Sequence, residues 1–174
     1  MKDGEHLASR AYLNHVVDVM NNIPSVVATG NAVAPNAVVV PPRPPYTYLG
    51  MARALLVGVP LLARAGAPAS IALAFVAAQV AECSLKAYLA RSGDDERLKS
   101  PALRHNLEAL WDLARIEGLP LSGQAPTWLL TLSVLHNKPY FIRYSTGVHA
   151  LGTPAGEPMA TELAAIVELV SQHL

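Results

Sequence analysis

Between Ala69 and Leu89 the chain reads ASIALAFVAAQVAECSLKAYL, and nearly every side chain in that run is apolar. A stretch of this length and composition is expected to form a helix buried on most of its circumference. The exceptions are Gln79, Glu82, Ser84 and Lys86. Gln79, Glu82 and Lys86 are three and four residues apart, so a helix gathers them into one narrow polar line on an otherwise greasy cylinder. That line cannot turn to water without exposing Phe75, Leu85 or Leu89 beside it. It is therefore expected to face a polar interior seam or shallow pocket, near His105 on the next helix. Two readings stay open: a structural Glu82–Lys86 ion pair in the favourable i, i+4 order, or the wall of a pocket beside a ligand or partner.

The following helix carries its own punctuation. Ser100 is expected as N-cap with Pro101 at the first helical position, and Gly118 with Pro120 marks the end. Leu103, Leu107, Leu110, Trp111 and Ala114 give it one apolar face. The segment 69–118 thus predicts a helical hairpin around which the rest is arranged. Upstream, residues 48–65 predict a helix kinked or interrupted at Pro60, where proline removes a donor and clashes with the preceding turn. Downstream, 124–137 predicts a helix with Trp128, Leu129, Leu132 and Leu135 on its core face. A last amphipathic helix, about 158–173, carries the apolar series Met159, Leu163, Ile166, Val167, Val170 and Leu174, with Glu162 and Glu168 outward.

The first 47 residues have a different character. Residues 5–21 have the apolar spacing of a short helix, and 25–40 hold two β-branched runs compatible with a hairpin or an extended arm. PPRPPY at 41–46 predicts a stiff, extended polyproline segment, either a rigid connector between arm and bundle or a docking peptide for an aromatic groove. The expected division is 1–47, an N-terminal helix and proline-rich arm, and 48–174, a helical bundle. The fold class is all-α: an up-and-down bundle of four to five helices with an irregular N-terminal arm.

Apolar residues make up 52% of the chain but aromatics only 6%, so the core is expected to be Leu, Val and Ala. Formal charge is zero, which removes the global positive field of a general nucleic-acid or anionic-membrane binder. A single cysteine, Cys83, excludes an internal disulfide framework and reads as a core thiol. The N-terminus lacks the apolar core of a secretory signal, and the apolar run Ala67–Ala81 is short for a membrane span; a cytoplasmic location without membrane contact is expected. There is no glycine-rich phosphate loop, no HExxH, no CxxC pair and no GxSxG elbow. The six histidines are scattered, and none is spaced with another like a metal-ligand pair; no metal or cofactor is expected.

AECSLKAYLARSG followed by RHNLEALWDLA resembles the HEPN superfamily of small helical bundles. The matching features are Glu82 and Leu85-Lys86 on the buried helix, a polar loop, then His105-Asn106-Leu107 near the start of the next helix. About 40 residues carry the motif, and architecture carries the resemblance over 48–174. Membership would imply a role in RNA or nucleotide biology of the defence or toxin–antitoxin type. Active members are metal-independent ribonucleases with an Arg, four to six residues, then a His, usually supplied by both protomers of a homodimer. Arg143 and His149 have that spacing just before the last helix, so the resemblance makes them the catalytic candidates; Arg10–His15 repeats the spacing in the wrong part of the fold. The imidazole would move the 2′-hydroxyl proton while the guanidinium steadies phosphate charge. Against this, Arg143 and Tyr144 could simply anchor their loop to the bundle, and His105 could hydrogen-bond locally. Glu82, Lys86, His105 and Tyr144 are the binding or polar-stripe candidates. The competing functional class is a non-catalytic bundle that self-associates or binds another protein, and the amount of apolar sequence favours a homodimer in either case.

Overall fold

The structure, a computed structural model, describes residues 43–144 and 151–174, which belong to the unit Val40–Leu174. The expected helix at 5–21, the arm at 25–40, the Arg10–His15 pair and His149 lie outside the described residues. Among those described, every regular element is helical. The α-helices are α1 (Tyr46–Leu56), α2 (Val59–Ala65), α3 (Ser70–Leu89), α4 (Leu107–Ile116), α5 (Thr127–His136) and α6 (Gly156–Gln172), with short 3-10 turns at Ala67–Ala69 and Glu96–Lys99.

Helix α3 is the axis: α1, α2, α4, α5 and α6 all pack on it. From Val80 to Leu89 every residue is buried, charged ones included. Ala74, Ala77, Ala78, Ala81 and Ala87 are wholly buried and keep its surface low, which lets neighbouring helices come close. The facing helices fill the space with Leu107, Leu110, Leu129, Leu132, Met159 and Leu163, all buried as their periodicity predicts.

The loop after α3 is stapled at one point, Glu117. Arg97 grips both of its carboxylate oxygens, and Arg91 Nη1 donates to Oε2 at 3.2 Å. Arg97 Nη2 also donates to the carbonyl of Leu89 (2.9 Å), and Tyr88 Oη to the carbonyl of Glu117 (2.8 Å). Carbonyls at the ends of α3 and α4, which have no intrahelical partner, are satisfied this way. Gly118 follows at φ 98°, the left-handed conformation that closes α4. At the other side of the loop Tyr48 Oη donates to Asp95 (2.9 Å), fixing α1.

Three local expectations are corrected. The break in the first helical stretch falls at Gly58 rather than Pro60; Pro60 sits in the first turn of α2, where no intrahelical partner awaits its missing N–H. Helix α4 starts at Leu107, not Pro101, capped by Asn106, whose Oδ1 accepts from the Ala109 amide at 3.1 Å. Residues 101–105 form a separate turn. Finally, Pro44–Pro45 is not extended: Pro45 is helical (φ −82°, ψ −17°), and the Pro45 carbonyl accepts from the Leu49 amide at 3.1 Å. Proline's fixed φ suits a helix entry as well as a polyproline strand.

Among the described residues, α1, α2 and the turn between them carry exposed large apolar side chains. Val57 is 71% exposed, Leu61 61% and Met51 51%. Two helical stretches, Tyr46–Ala65 and Ala67–Leu89, are long and apolar enough to cross a membrane by length and composition; the second is mostly buried within the bundle, whereas the first packs on it and leaves most of its residues accessible.

Gly156, the first residue of α6, is where that helix meets α2 and α3: a Cβ there would lie 3.0 Å from Leu73 Cδ2 and 3.2 Å from Ala63 Cα. Gly156→Ala is therefore expected to lose roughly 1–3 kcal/mol in urea unfolding despite alanine's better helix propensity. Unchanged or raised stability would show that α6 sits further from α2 than described.

Candidate functional site

The polar line on α3 ends in a buried charge cluster. Glu82 and Lys86 are each 6% exposed, and Lys86 Nζ donates to Glu82 Oε1 at 2.7 Å. The same ammonium donates to the carbonyl of Arg104 at 2.7 Å, which holds the 101–105 turn over α3. His105 closes that turn, and its Nδ1 lies 3.0 Å from Glu82 Oε2. The other oxygen lone pair faces His136, the last residue of α5 and wholly buried, whose Nε2 is 2.5 Å from the same Oε2. One carboxylate thus serves an ammonium on one oxygen and two imidazoles on the other. Gln79, one turn further up α3, is only half-buried and makes no hydrogen bond into the cluster.

The loop after α5 folds back over these groups. Tyr140 is the single non-glycine residue at positive φ (65°) among those described, a costly conformation for a bulky side chain. It sets the Tyr140 ring edge-on to His105 (centroids 5.7 Å apart) and to Tyr144 (6.1 Å). Arg104 Nη2 donates to Tyr140 Oη at 3.0 Å. Arg143 then reaches inward: its Nη2 stands 3.3 Å from His136 Nε2 and 3.5 Å from His105 Nδ1. Arg104, His105, Tyr140, Arg143 and Tyr144 line a pocket of about 220 Å³ with no carboxylate on its wall. A larger groove of about 490 Å³, bounded by Trp111, Leu121, Ile166 and Leu169, is mainly apolar and holds no comparable cluster.

The proton inventory follows from the carboxylate. Burial pushes Glu82 up, but the His136 hydrogen bond and the Lys86 charge more than offset it and hold the group at about 2, against an ordinary 4.5. An ionised carboxylate only accepts, so His105 Nδ1 and His136 Nε2 both carry protons toward Oε2. Burial lowers His105, outweighing the opposing pull of Glu82, so the ring is held neutral and its Nε2 keeps a lone pair. The result is a carboxylate-oriented imidazole beside two guanidinium groups. Cys83 is a different matter: burial and the neighbouring Glu82 push its thiol up to about 11, so it stays protonated.

Of the sequence candidates, Glu82, Lys86, His105, Arg143 and Tyr144 come together in or beside one pocket. His149 lies outside the described residues. Sequence reasoning missed His136, Arg104 and Tyr140. His136 did carry a signal, since Leu129, Leu132, Ser133 and His136 are the buried face of α5, and a histidine in that series points into the core. No family model, curated protein or solved structure matches the chain.

Glu82→Ala is expected to cost on the order of 2–4 kcal/mol, because it strands Lys86 and two imidazole N–H groups. Glu82→Leu with Lys86→Met should regain part of that, His136 remaining unpaired. The pH dependence has a definite sign. A carboxylate whose folded value is depressed contributes stability that is complete above about 4.5 and lost toward about 2, here roughly 3 kcal/mol. Lowered His105 acts in the same direction on acidification, losing stability as pH falls through its ordinary range. Unfolding curves across this range should therefore be steeper in the wild type than in Glu82→Ala; parallel curves would mean that Glu82 is solvated.

Proposed function

We propose that this pocket performs acid–base chemistry on phosphate esters of RNA, without a metal ion, in a HEPN-like bundle of the defence or toxin–antitoxin type. The observation that carries the proposal is the Glu82–His105 pair opening onto a pocket walled by Arg104 and Arg143. His105 Nε2 is the base: it takes the proton of a 2′-hydroxyl while that oxygen attacks the adjacent phosphorus. Arg143 and Arg104 hold the charge that builds on the phosphoryl oxygens. Glu82 stabilises the imidazolium formed, and the departing 5′-oxygen takes its proton from water or from a second acid. His149, paired with Arg143 by sequence spacing, is the candidate for that acid. The assignment moves the base from His149 to His105 and keeps Arg143.

The test is cleavage of end-labelled single-stranded RNA in the presence of EDTA. His105→Ala and Arg143→Ala should each lower the rate by about 100-fold or more, with a cyclic phosphate left on the 5′ product. Absence of cleavage by the wild type, or rates that ignore both substitutions, would end the nuclease assignment.

A second reading has its own observation: the exposed apolar set Met51, Val57 and Leu61 suits a bundle that works through self-association. We infer a homodimer formed on it. Sedimentation at micromolar concentration is expected to give twice the 18.5 kDa chain mass, and Leu61→Glu to return it to one. A wild type that sediments only as a single chain would refute the dimer.

A further inference from the structure

Around Glu82 Oε2 the contacts cannot all be satisfied by protons. His136 Nε2 and His105 Nδ1 each spend their one proton on that oxygen, so neither nitrogen has a lone pair left to accept from the Arg143 Nη2 that abuts it at 3.3 and 3.5 Å. A guanidinium nitrogen can only donate. Neither contact can then be a hydrogen bond. If instead a ring nitrogen keeps a lone pair to accept from Arg143, it has no proton to give the carboxylate oxygen. Two further atoms add to the frustration: His136 Nδ1 and Arg143 Nε are buried with no hydrogen-bond partner.

One kind of ligand removes the conflict at Oε2 and the two ring nitrogens that meet it. The ligand atoms of Glu82, His105 and His136 lie within 4.8 Å of one another, close enough to share one ion. Two imidazoles and one carboxylate, with a fourth position open, form a donor set suited to zinc. The three residues come from separate places, the middle of α3, the turn before α4 and the end of α5, so their relative positions are fixed by packing rather than by one flexible loop. Glu82 Oε1 is already occupied by Lys86, which orients the carboxylate and leaves Oε2 as the ligand atom. We propose that Glu82, His105 and His136 form a binding site for a zinc-like divalent ion, and that Arg143 is the resident cation which such an ion displaces.

Displacement is feasible because Arg143 is weakly held. Among the described residues its side chain makes no hydrogen bond beyond the two ring contacts. It also lines the pocket, so withdrawal outward needs no rearrangement of the helices. The opposing cost is charge: a dication joins Lys86, and only the departure of Arg143 keeps the cluster within reach of one carboxylate's compensation. When His105 binds through Nδ1, its Nε2 becomes protonated and loses its capacity as a base. Metal binding and the proposed RNA chemistry are then mutually exclusive uses of one ring.

The site does not depend on the RNA proposal, and its test contains no RNA. Cobalt(II) is titrated into the metal-free full chain and followed by visible absorption, then displaced by zinc(II). The wild type should develop the d–d bands of a four-coordinate cobalt centre at one equivalent. Arg143→Ala should bind at least about tenfold more tightly, since a neighbouring positive charge is gone. His105→Ala, or His105→Gln where alanine disturbs the fold, should bind at least about tenfold more weakly. No such bands in either the wild type or Arg143→Ala, even with excess metal, would overturn the site. Binding that His105→Ala and His105→Gln leave intact would overturn it too. A chain that binds cobalt and cleaves no RNA upholds the metal site and defeats the nuclease assignment; the reverse pattern separates them equally well.

Discussion

The carboxylate of Glu82 is the interaction on which this bundle turns. A charge on the most buried helix would be prohibitively costly alone, and it is tolerable only because an ammonium and two imidazoles converge on it. The ammonium comes from the same helix, but the two imidazoles arrive from different elements and bring those elements with them. Lys86 pins the 101–105 turn through the Arg104 carbonyl, His105 fixes the entry to α4, and His136 fixes the end of α5. The folding problem and the site are therefore one problem. The same contacts that neutralise a buried charge assemble the only histidine–arginine cluster among the described residues.

Much of the fold was legible because it depends on periodicity. The apolar run at 69–89, the Leu107–Leu110–Trp111–Ala114 face and the Met159–Val170 face each identify a helix and its buried side, and the structure has them so. Helix ends were less legible, because competing signals lay close together. Ser100-Pro101 is a sound start signal, yet Asn106 six residues later is another, and tertiary contact decides between them: Lys86 needs the Arg104 carbonyl at the end of a turn, not inside a helix. Gly58 and Pro60 pose the same choice two residues apart. There proline's tolerance for a first helical turn moves the break back to the glycine.

The site was legible only along α3. Spacing within one helix reveals that Glu82 and Lys86 share a face; it cannot reveal that His136, 54 residues on from Glu82, reaches the same oxygen. For the same reason a search for closely spaced metal ligands passes over a donor set built from three elements. Tyr140 was hidden differently. Its role follows from a left-handed backbone, which the residue type argues against.

The alanine-rich surface of α3 has a cost that its polar line offsets. A helix studded with small, similar side chains is nearly featureless along its axis, and its neighbours could slide past it by a turn with little change in packing. Ala74, Ala78 and Ala81 give them nothing to catch on. Glu82 and Lys86 do, because a slip of one turn would carry both charges away from His105, His136 and the Arg104 carbonyl at once. The cluster thus acts as a detent on a smooth shaft: it sets the axial register of the bundle, which hydrophobic burial alone would leave loosely specified.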